Sequence, residues 1–388
     1  MTNWPEDSRR IIGSTPVSIE VQPGAVGSRV LHLTNPSDQP ITVAPRITTG
    51  SDLLGWRLVA YQFSPAFGWQ PMPLLNRHEV TIPPHLTASL WLTFEARNLS
   101  PGVRAATLNL GSQQIEFKVN VTGTDIRHAK APFVGGWSDP WPVPEGWKTF
   151  ADIGLNIVHR KALPGDQMEK FQIALCNVTL GTPKSAEQVH EIVSAMKSMG
   201  LDYGDWTWEI MDEPSKKTYE KWIEAAKIIR QADPKVRIWC NPGWIGASTA
   251  ESVTAMAPWI DVFCPYVDHF AAKDSAYQTL LSNLGNPKLL YTTPCYNEKS
   301  PGAPLELLQM TDLALKHNRD GWDTFSLRHF YPYAASAWDE VNAMDPAQAV
   351  SMFPGAWNQV IGSRNLEAER QAIQNWKTAK MTSPNARH

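Results

Sequence analysis

The sequence predicts an α/β chain: a (β/α)8 TIM barrel preceded by an N-terminal all-β sandwich. Three observations predict it. Residues up to about 125 alternate apolar and polar side chains with period two, between turn-forming pairs. From about residue 130 onward, short apolar runs alternate with helical stretches. Eight such runs can be counted, over the roughly 250 residues that a closed parallel barrel occupies. A chain of 388 residues also suits two domains at about 100–200 residues each. The expected division is 1–127, an immunoglobulin-like β-sandwich, and 128–388, the barrel.

In the first part, Val80-Thr81-Ile82, Leu90-Trp91-Leu92-Thr93-Phe94, Thr107-Leu108-Asn109-Leu110 and the run 115–121 alternate as half-buried strands do. Gln22-Pro23-Gly24, Asn35-Pro36-Ser37, Pro83-Pro84 and Ser100-Pro101-Gly102 mark turns. No polar cluster there suggests catalysis, so the sandwich reads as a packing or targeting module. In the second part the expected strands are 133–136, 156–159, 171–175, 205–210, 236–239, 260–263, 288–291 and 321–325. Helical spacing links Val189, Ile192, Val193 and Met196, and again Trp222, Ala225, Ala226 and Ile229. The runs 305–317 and 366–376 are similar. Ser185 and Ser215 are expected as N-caps. Arg364 and Arg370 are expected to anchor the last helix, through Glu367, Glu369 or nearby carbonyls.

Composition narrows the function. With 43% hydrophobic and 19% charged residues, the chain can bury a large core. The net charge of -3, without a basic cluster interleaved with aromatics, excludes a nucleic-acid surface of the usual kind. No apolar stretch is long enough to span a bilayer. Cys176, Cys240, Cys264 and Cys295 follow no zinc spacing, and His159, His269 and His329 show no ligand spacing. No metal and no cofactor are therefore expected. Residues 1–10 lack the apolar core of an export signal. A sandwich joined to a barrel nevertheless leads to the expectation of an exported bacterial protein, with a cytoplasmic one as the alternative. The 17 tryptophans fit sugar binding, because an indole face stacks on a pyranose; they also fit a bulky core.

Barrel enzymes carry their chemistry at the C-terminal ends of the strands. The residues found there are Trp137 and Asp139; His159 and Arg160; Asp212 and Glu213; Asn241 and Trp244; Tyr266, Asp268 and His269; Tyr296 and Glu298; and Arg328, His329 and Tyr331. Any solvated rim is polar, but this one is rich in aromatics. Asp212 and Glu213, in the run Trp208-Glu209-Ile210-Met211-Asp212-Glu213-Pro214, are the sharpest candidates for catalysis. Glycosidic cleavage needs one carboxylic acid for the leaving oxygen and a second carboxylate near the oxocarbenium-like carbon. Two close carboxyls resist double ionisation. The competing reading is that the pair opens the next helix, where acidic residues suit the dipole.

This strand-four run resembles that of the glycoside hydrolase family 123 catalytic barrels, the β-N-acetylgalactosaminidase-type enzymes. Gly321-Trp322-Asp323-Thr324-Phe325, then Met352-Phe353-Pro354-Gly355, then the run 361–370 with Ser363, Arg364, Leu366, Glu367 and Arg370, resemble the order of that group's C-terminal segments. The resemblance implies an oligosaccharide or glycan substrate ending in a β-linked N-acetylhexosamine, N-acetylgalactosamine first. It implies attack by the sugar's own 2-acetamido oxygen, with Glu213 as general acid/base and Asp212 orienting the acetamido N–H. Aromatics near the mouth, among them Trp206, Trp208, Trp244 and Tyr296, would wall the acetamido pocket. Expected substrate contacts are Trp137, Asp139, His159, Arg160, Trp208, Trp244, Tyr266, Asp268, Tyr296 and His329. Two other readings stay open: a retaining glycosidase using Glu298 or Asp268 as nucleophile on a sugar without an acetamido group, and a non-catalytic carbohydrate-binding protein.

Overall fold

The computed structural model describes residues 16–64, 68–137, 144–244, 246–292, 303–325, 352–354 and 360–382. By its contacts the chain forms two compact units, 1–131 with 361–388, and 132–360.

The first unit contains the expected β-sandwich. One sheet has the order β1 (Val17–Val21), β10 (Gln113–Val121), β9 (Gly102–Leu110), β4 (Arg46–Thr49); the other runs β2 (Val26–Thr34), β8 (Thr87–Glu95), β5 (Leu54–Ser64), β6 (Gly68–Leu75). A short pair, β3 (Ile41–Val43) and β7 (Val80–Ile82), completes it. Period-two alternation supplies the core: Phe117, Val119 and Val121 of β10 pack with Leu90, Leu92 and Phe94 of β8 and Ile19 and Val21 of β1. Trp91, on the opposite face of β8, is nevertheless fully buried. Its cross-strand partner Arg57 reaches Glu367 at 2.6 Å on the C-terminal helix, Arg364–Thr382. That helix also bonds Val26 through the Gln374 amide, and Arg364 donates to the Pro71 carbonyl.

The division therefore differs from the expected 1–127 and 128–388 at its C-terminal end. The last helix presents a polar and acidic face, Glu367, Gln374 and Thr378, to groups of the sandwich sheet, whereas its helical spacing alone had assigned it to the barrel. Arg370 meets Glu367 as expected, Nε to Oε2 3.3 Å.

The second unit carries eight parallel strands in one sheet: β11 (Phe133–Trp137), β12 (Ile157–His159), β13 (Leu175–Thr179), β14 (Trp206–Glu209), β15 (Ile238–Cys240), β16 (Val262–Phe263), β17 (Leu289–Thr292) and β18 (Gly321–Phe325). β11 pairs with β18, and parallel bridges Phe263–Lys288 and Tyr266–Tyr291 close the sheet between β16 and β17. The (β/α)8 barrel is thus the observed fold. Ile157, Leu175, Trp239, Val262, Cys264, Leu289 and Tyr291 fill its interior. Seven of the expected strands lie within a residue or two of those observed. The third does not. Residues 171–175 were read as strand, but a short helix, Gly165–Lys170, ends there and the strand begins at Leu175. Gln172 sits at φ 55° in the turn between them. The true strand was overlooked because Asn177 interrupts its apolar pattern.

Between strands, the helices Ala186–Ser198 and Tyr219–Ala232 bury the apolar faces that their spacing predicts. Ser185 caps the first, accepting from the Gln188 amide. Ser215 does not cap the second. It begins a turn that bonds to Thr218, and the helix starts at Tyr219.

Candidate active site

Alternation along the barrel strands turns a set of polar side chains inward near their C-terminal ends. His159 ends β12, Asn177 and Thr179 lie on β13, Thr207 and Glu209 on β14, and Asp323 on β18. His159, Asn177, Thr207, Glu209 and Asp323 are all fully buried. Buried polar groups must be partnered, and here they partner one another. Thr207 donates to the Asn177 carbonyl oxygen, 3.1 Å; Thr179 donates to Glu209; the Asn177 amide lies 3.2 Å from His159 Nδ1; and His159 Nε2 lies 2.9 Å from Asp323 Oδ2. In the neutral ring, Nδ1 accepts from Asn177, while Nε2 stands against Asp323 Oδ2 as a close contact outside hydrogen-bond geometry.

The ring is boxed by aromatics. Trp137 lies 4.8 Å away centroid to centroid and Trp239 5.4 Å, the latter edge-on. Burial opposes a charge on His159, but Asp323, Glu209 and Asp212 outweigh it, so its pKa is raised. Gly135 makes the pair possible. A Cβ there would stand 2.6 Å from Asp323 Oδ1 and 3.1 Å from His159 Nε2.

Asp212 and Glu213 follow β14 on the loop before the helix Tyr219–Ala232. The first helical turn holds Glu220, not this pair, so the two carboxyls are not dipole residues of that helix. Glu213 adopts φ 49° and Arg160 φ 69°. Left-handed backbone at non-glycine residues is costly and clusters at functional sites. Glu213 is half-buried, and burial pushes its pKa up. Asp212 opens to solvent at the mouth, yet its neighbours leave the carboxyl poorly solvated. Desolvation first, then the charges of Glu209 and Glu213, push it up to about 7 against the pull of Arg160 and His159. Tyr291, on β17, is driven up by burial and by Asp323, Asp212 and Glu213, so it stays a phenol that can donate.

The loop after β15 backs Glu213. Gly243, at φ 73°, lies so close that a Cβ would stand 3.2 Å from Glu213 Cβ. Asn241 accepts from the Gly243 amide, 3.1 Å. His269 holds the Gly243 carbonyl at 2.8 Å through Nε2, and Tyr277 bonds Nδ1 at 2.5 Å. Burial lowers the His269 pKa, which fits a neutral ring donating from Nε2 and accepting at Nδ1. This histidine is therefore a brace for the loop rather than a substrate contact. Trp244, next along, is 53% exposed.

Of the expected site residues, Trp137, His159, Arg160, Asp212 and Glu213 come together. The Arg160 guanidinium lies 5.6 Å from the Trp137 ring centre. Tyr266 adjoins them through Tyr291, ring to ring 5.7 Å. Asp268 sits in a 3-10 turn, Val267–Ala271, where its charge acts on His269 and Tyr277. Trp208 is a correction. It is fully buried and its indole N–H donates to the Gly181 carbonyl; it alternates with the inward Thr207 and Glu209, so it faces away from the barrel interior. Trp206 shares that side. Asp139, Tyr296, Glu298, Arg328, His329 and Tyr331 lie outside the described residues. Sequence reasoning missed Glu209, Asn177, Tyr291 and Asp323 as site residues, although the parity that places Thr207 inward also places Glu209 inward.

Among the described residues, no group of three His, Cys, Asp or Glu side chains is placed to hold a metal ion. No helix among them is long and apolar enough to cross a membrane.

No family profile and no curated protein sequence matches the chain. In structure it is similar to a family 123 glycoside hydrolase from Clostridium perfringens studied for glycolipid glycan hydrolysis, with TM-score 0.67 at 11% identity over 95% of this chain and 85% of that one. Weaker likenesses include a family 2 β-galacturonidase from Eisenbergiella tayi (TM-score 0.42, 12% identity, 90% and 69% covered) and a family 5 mannosidase from Rhizomucor miehei (TM-score 0.38, 11% identity, 66% and 95% covered). The barrel and sandwich expected from the sequence resemblance are thus the fold shared with the family 123 structure.

Proposed function

We propose that this chain is a glycoside hydrolase that cleaves β-linked N-acetylhexosaminides, N-acetylgalactosaminides foremost, by substrate-assisted retaining catalysis. The observation that carries the proposal is the adjacent pair Asp212 and Glu213 at the C-terminal end of the fourth barrel strand, both with raised pKa values. A general acid must hold its proton at working pH, and burial favours that state in Glu213. Glu213 gives its proton to the leaving glycosidic oxygen while the 2-acetamido oxygen bonds to the anomeric carbon. Asp212, once ionised, accepts the acetamido N–H and balances the positive oxazolinium ring. Water then attacks the anomeric carbon, the ring opens to the acetamide, and Glu213 recovers a proton from that water. Trp137, Tyr266 and Tyr291 supply aromatic walls, and exposed Trp244 offers a stacking face.

The test is release of 4-nitrophenol from the β-N-acetylgalactosaminide, the β-N-acetylglucosaminide and the plain β-galactoside. Cleavage of acetamido sugars alone, lost in Glu213→Gln, is the expected result. Cleavage of the plain galactoside would overturn substrate assistance and point to an enzyme nucleophile.

A further inference from the structure

The reaction just described gives Trp244 a stacking face but no part of the substrate to stack on. Trp244 is the one exposed tryptophan among the described side chains. A single exposed apolar side chain is ordinary on a protein surface, so exposure alone gives it no role. The loop that carries it is the telling part. The Trp244 carbonyl accepts from the Ala247 amide at 2.9 Å and from the Ser248 amide at 3.2 Å. The preceding residue is held from two sides, the Gly243 amide by Asn241 and the Gly243 carbonyl by His269. Ser248 is buried, with its hydroxyl 3.3 Å from the same His269 Nε2. Gly246 leaves room for the indole to lie back on the loop, since a Cβ there would stand 3.1 Å from Trp244 Nε1 and 3.2 Å from Cδ1. A loop pinned at so many points holds its tryptophan in place against solvent.

The same loop is fastened to the one that carries the acid. The Lys216 amide, just past Glu213, donates to the Ala247 carbonyl at 3.0 Å. Gly243 lies along the Glu213 side chain: a Cβ at 243 would meet Glu213 Cβ at 3.2 Å and both Cγ and Cδ at 3.5 Å. Trp244 follows directly, its Cα about 3.8 Å further along the chain. Asp212 is engaged from the other side. The charges that favour its ionised form belong to Arg160 and His159 at the end of β12, and Arg160 lies over Trp137 of β11. In barrel order, β11 and β12 stand on one side of β14 and β15 on the other. The acid pair thus has two flanks, Asp212 towards Arg160 and Trp137, and Glu213 towards Trp244.

The task of each carboxyl assigns the flanks. Asp212 serves the acetamido group of the ring under attack, and Glu213 protonates the oxygen that departs. Surfaces on the Glu213 flank therefore meet what that oxygen carries away. We propose that Trp244 is the platform of the leaving-group subsite, stacking its indole on the apolar face of the departing sugar ring. This rests on the function proposed above, and it moves Trp244 out of the acetamido pocket in which the family resemblance would place it. A stacked ring is held in the ground state and the transition state alike, so the contact lowers KM more than it raises kcat.

The experiment compares two substrates that share the reacting ring. One is the β-N-acetylgalactosaminyl-galactose disaccharide, whose leaving group is a sugar; the other is methyl β-N-acetylgalactosaminide, whose leaving group is methanol. In Trp244→Ala the ratio of kcat/KM for the disaccharide over the methyl glycoside should fall roughly tenfold, mostly through KM, the order expected of one aromatic stacking contact. Trp244→Phe keeps a flat face and should recover part of the ratio. A loop that merely fell out of place would slow both substrates together. An equal loss on both, or a ratio that does not move, overturns the proposal. Calorimetry with both sugars on the Glu213→Gln protein reads the contact without turnover. The disaccharide should bind more tightly than the methyl glycoside, and adding Trp244→Ala should abolish the difference. Equal binding before that substitution, or a difference that survives it, overturns the proposal as well. A wild type that cleaves neither sugar, yet shows the binding difference and its loss, would sink only the function above.

Discussion

His159 and Asp323 face each other in the barrel interior, Nε2 to Oδ2 2.9 Å, both side chains essentially inaccessible, and the pair becomes ionic when the ring is protonated. The partners come from strands far apart in sequence, and β11 between them offers only Gly135 at that level. Breaking one side of a buried pair leaves an uncompensated charge and costs about 3–5 kcal/mol. The pKa of His159 is raised on folding. Its contribution to stability is therefore complete below the unfolded value of about 6.5 and fades as pH rises through the folded value. Asp323→Asn should destabilise most in mildly acidic solution, with the gap to wild type narrowing as pH rises. Urea denaturation across that range measures it; a gap independent of pH would show that the pair carries no proton-linked stability.

Gly135→Ala tests the same pair sterically. The added Cβ would lie 2.6 Å from Asp323 Oδ1, 3.0 Å from Ile157 Cβ and 3.1 Å from His159 Nε2. Two of those neighbours belong to a packed barrel and cannot withdraw. Overpacking of this kind costs about 1–3 kcal/mol. The expected result is a lower Tm together with a His159 imidazole that titrates at lower pH, since the counter-ion is pushed away. Wild-type titration in a folded variant would contradict the geometry.

Gly243→Ala should act on catalysis more than on folding. Its φ of 73° and the 3.2 Å approach to Glu213 Cβ mean that a methyl group there strains the loop and displaces the proposed acid. A misplaced general acid forfeits part of the 10²–10⁴-fold that such groups typically contribute. The expected signature is a fall in kcat with KM little changed. His269→Asn or His269→Gln, which loosens the carbonyl of the same glycine, should reproduce it more weakly.

The acid limb of the activity should fall near neutrality. Asp212, held up to about 7, is protonated below that pH and cannot accept the acetamido N–H. Activity on an acetamido substrate is therefore expected to rise with pH through about 7. It should fall again once Glu213, whose pKa is also raised, loses its proton. A kcat/KM profile that is flat from mildly acid to mildly alkaline solution would remove Asp212 from the role assigned to it.

Much of this site was legible in the sequence because one rule places it: residues just past barrel strands face the mouth. That rule found Trp137, His159, Arg160, Asp212 and Glu213. It failed for residues inside the strands, where function depends on which way a side chain points. Trp208 and Glu209 are neighbours in sequence, and the aromatic one attracted attention while the inward one was the carboxylate. Asn177 was hidden twice over, by a strand placed four residues early and by its polarity, which reads as a break in an apolar run. Asp323 was visible only as part of a motif. The last helix was misassigned because its spacing shows that it packs but not against what; the Arg57–Glu367 contact spans residues too far apart for any local pattern to reveal.

That contact gives the remaining prediction. Glu367 is buried on the helix face that meets the sandwich sheet. Burial opposes its charge, but Arg370 and Arg57 outweigh this and hold its pKa below the usual carboxylate value. A depressed folded pKa contributes stability that is present above the unfolded value of about 4.3 and is lost as pH falls through the folded one. Glu367→Gln should therefore unfold more easily at neutral pH, by about 3–5 kcal/mol if both arginines are left without a counter-charge. The deficit should shrink toward zero in acid. Denaturation followed by tryptophan fluorescence would resolve it, because Trp91 of β8 is the cross-strand partner of Arg57 on β5. A variant as stable as wild type at neutral pH would mean that Arg57 and Arg370 find solvent instead, and that the helix is held by the Gln374 bonds to Val26 rather than by its buried carboxylate.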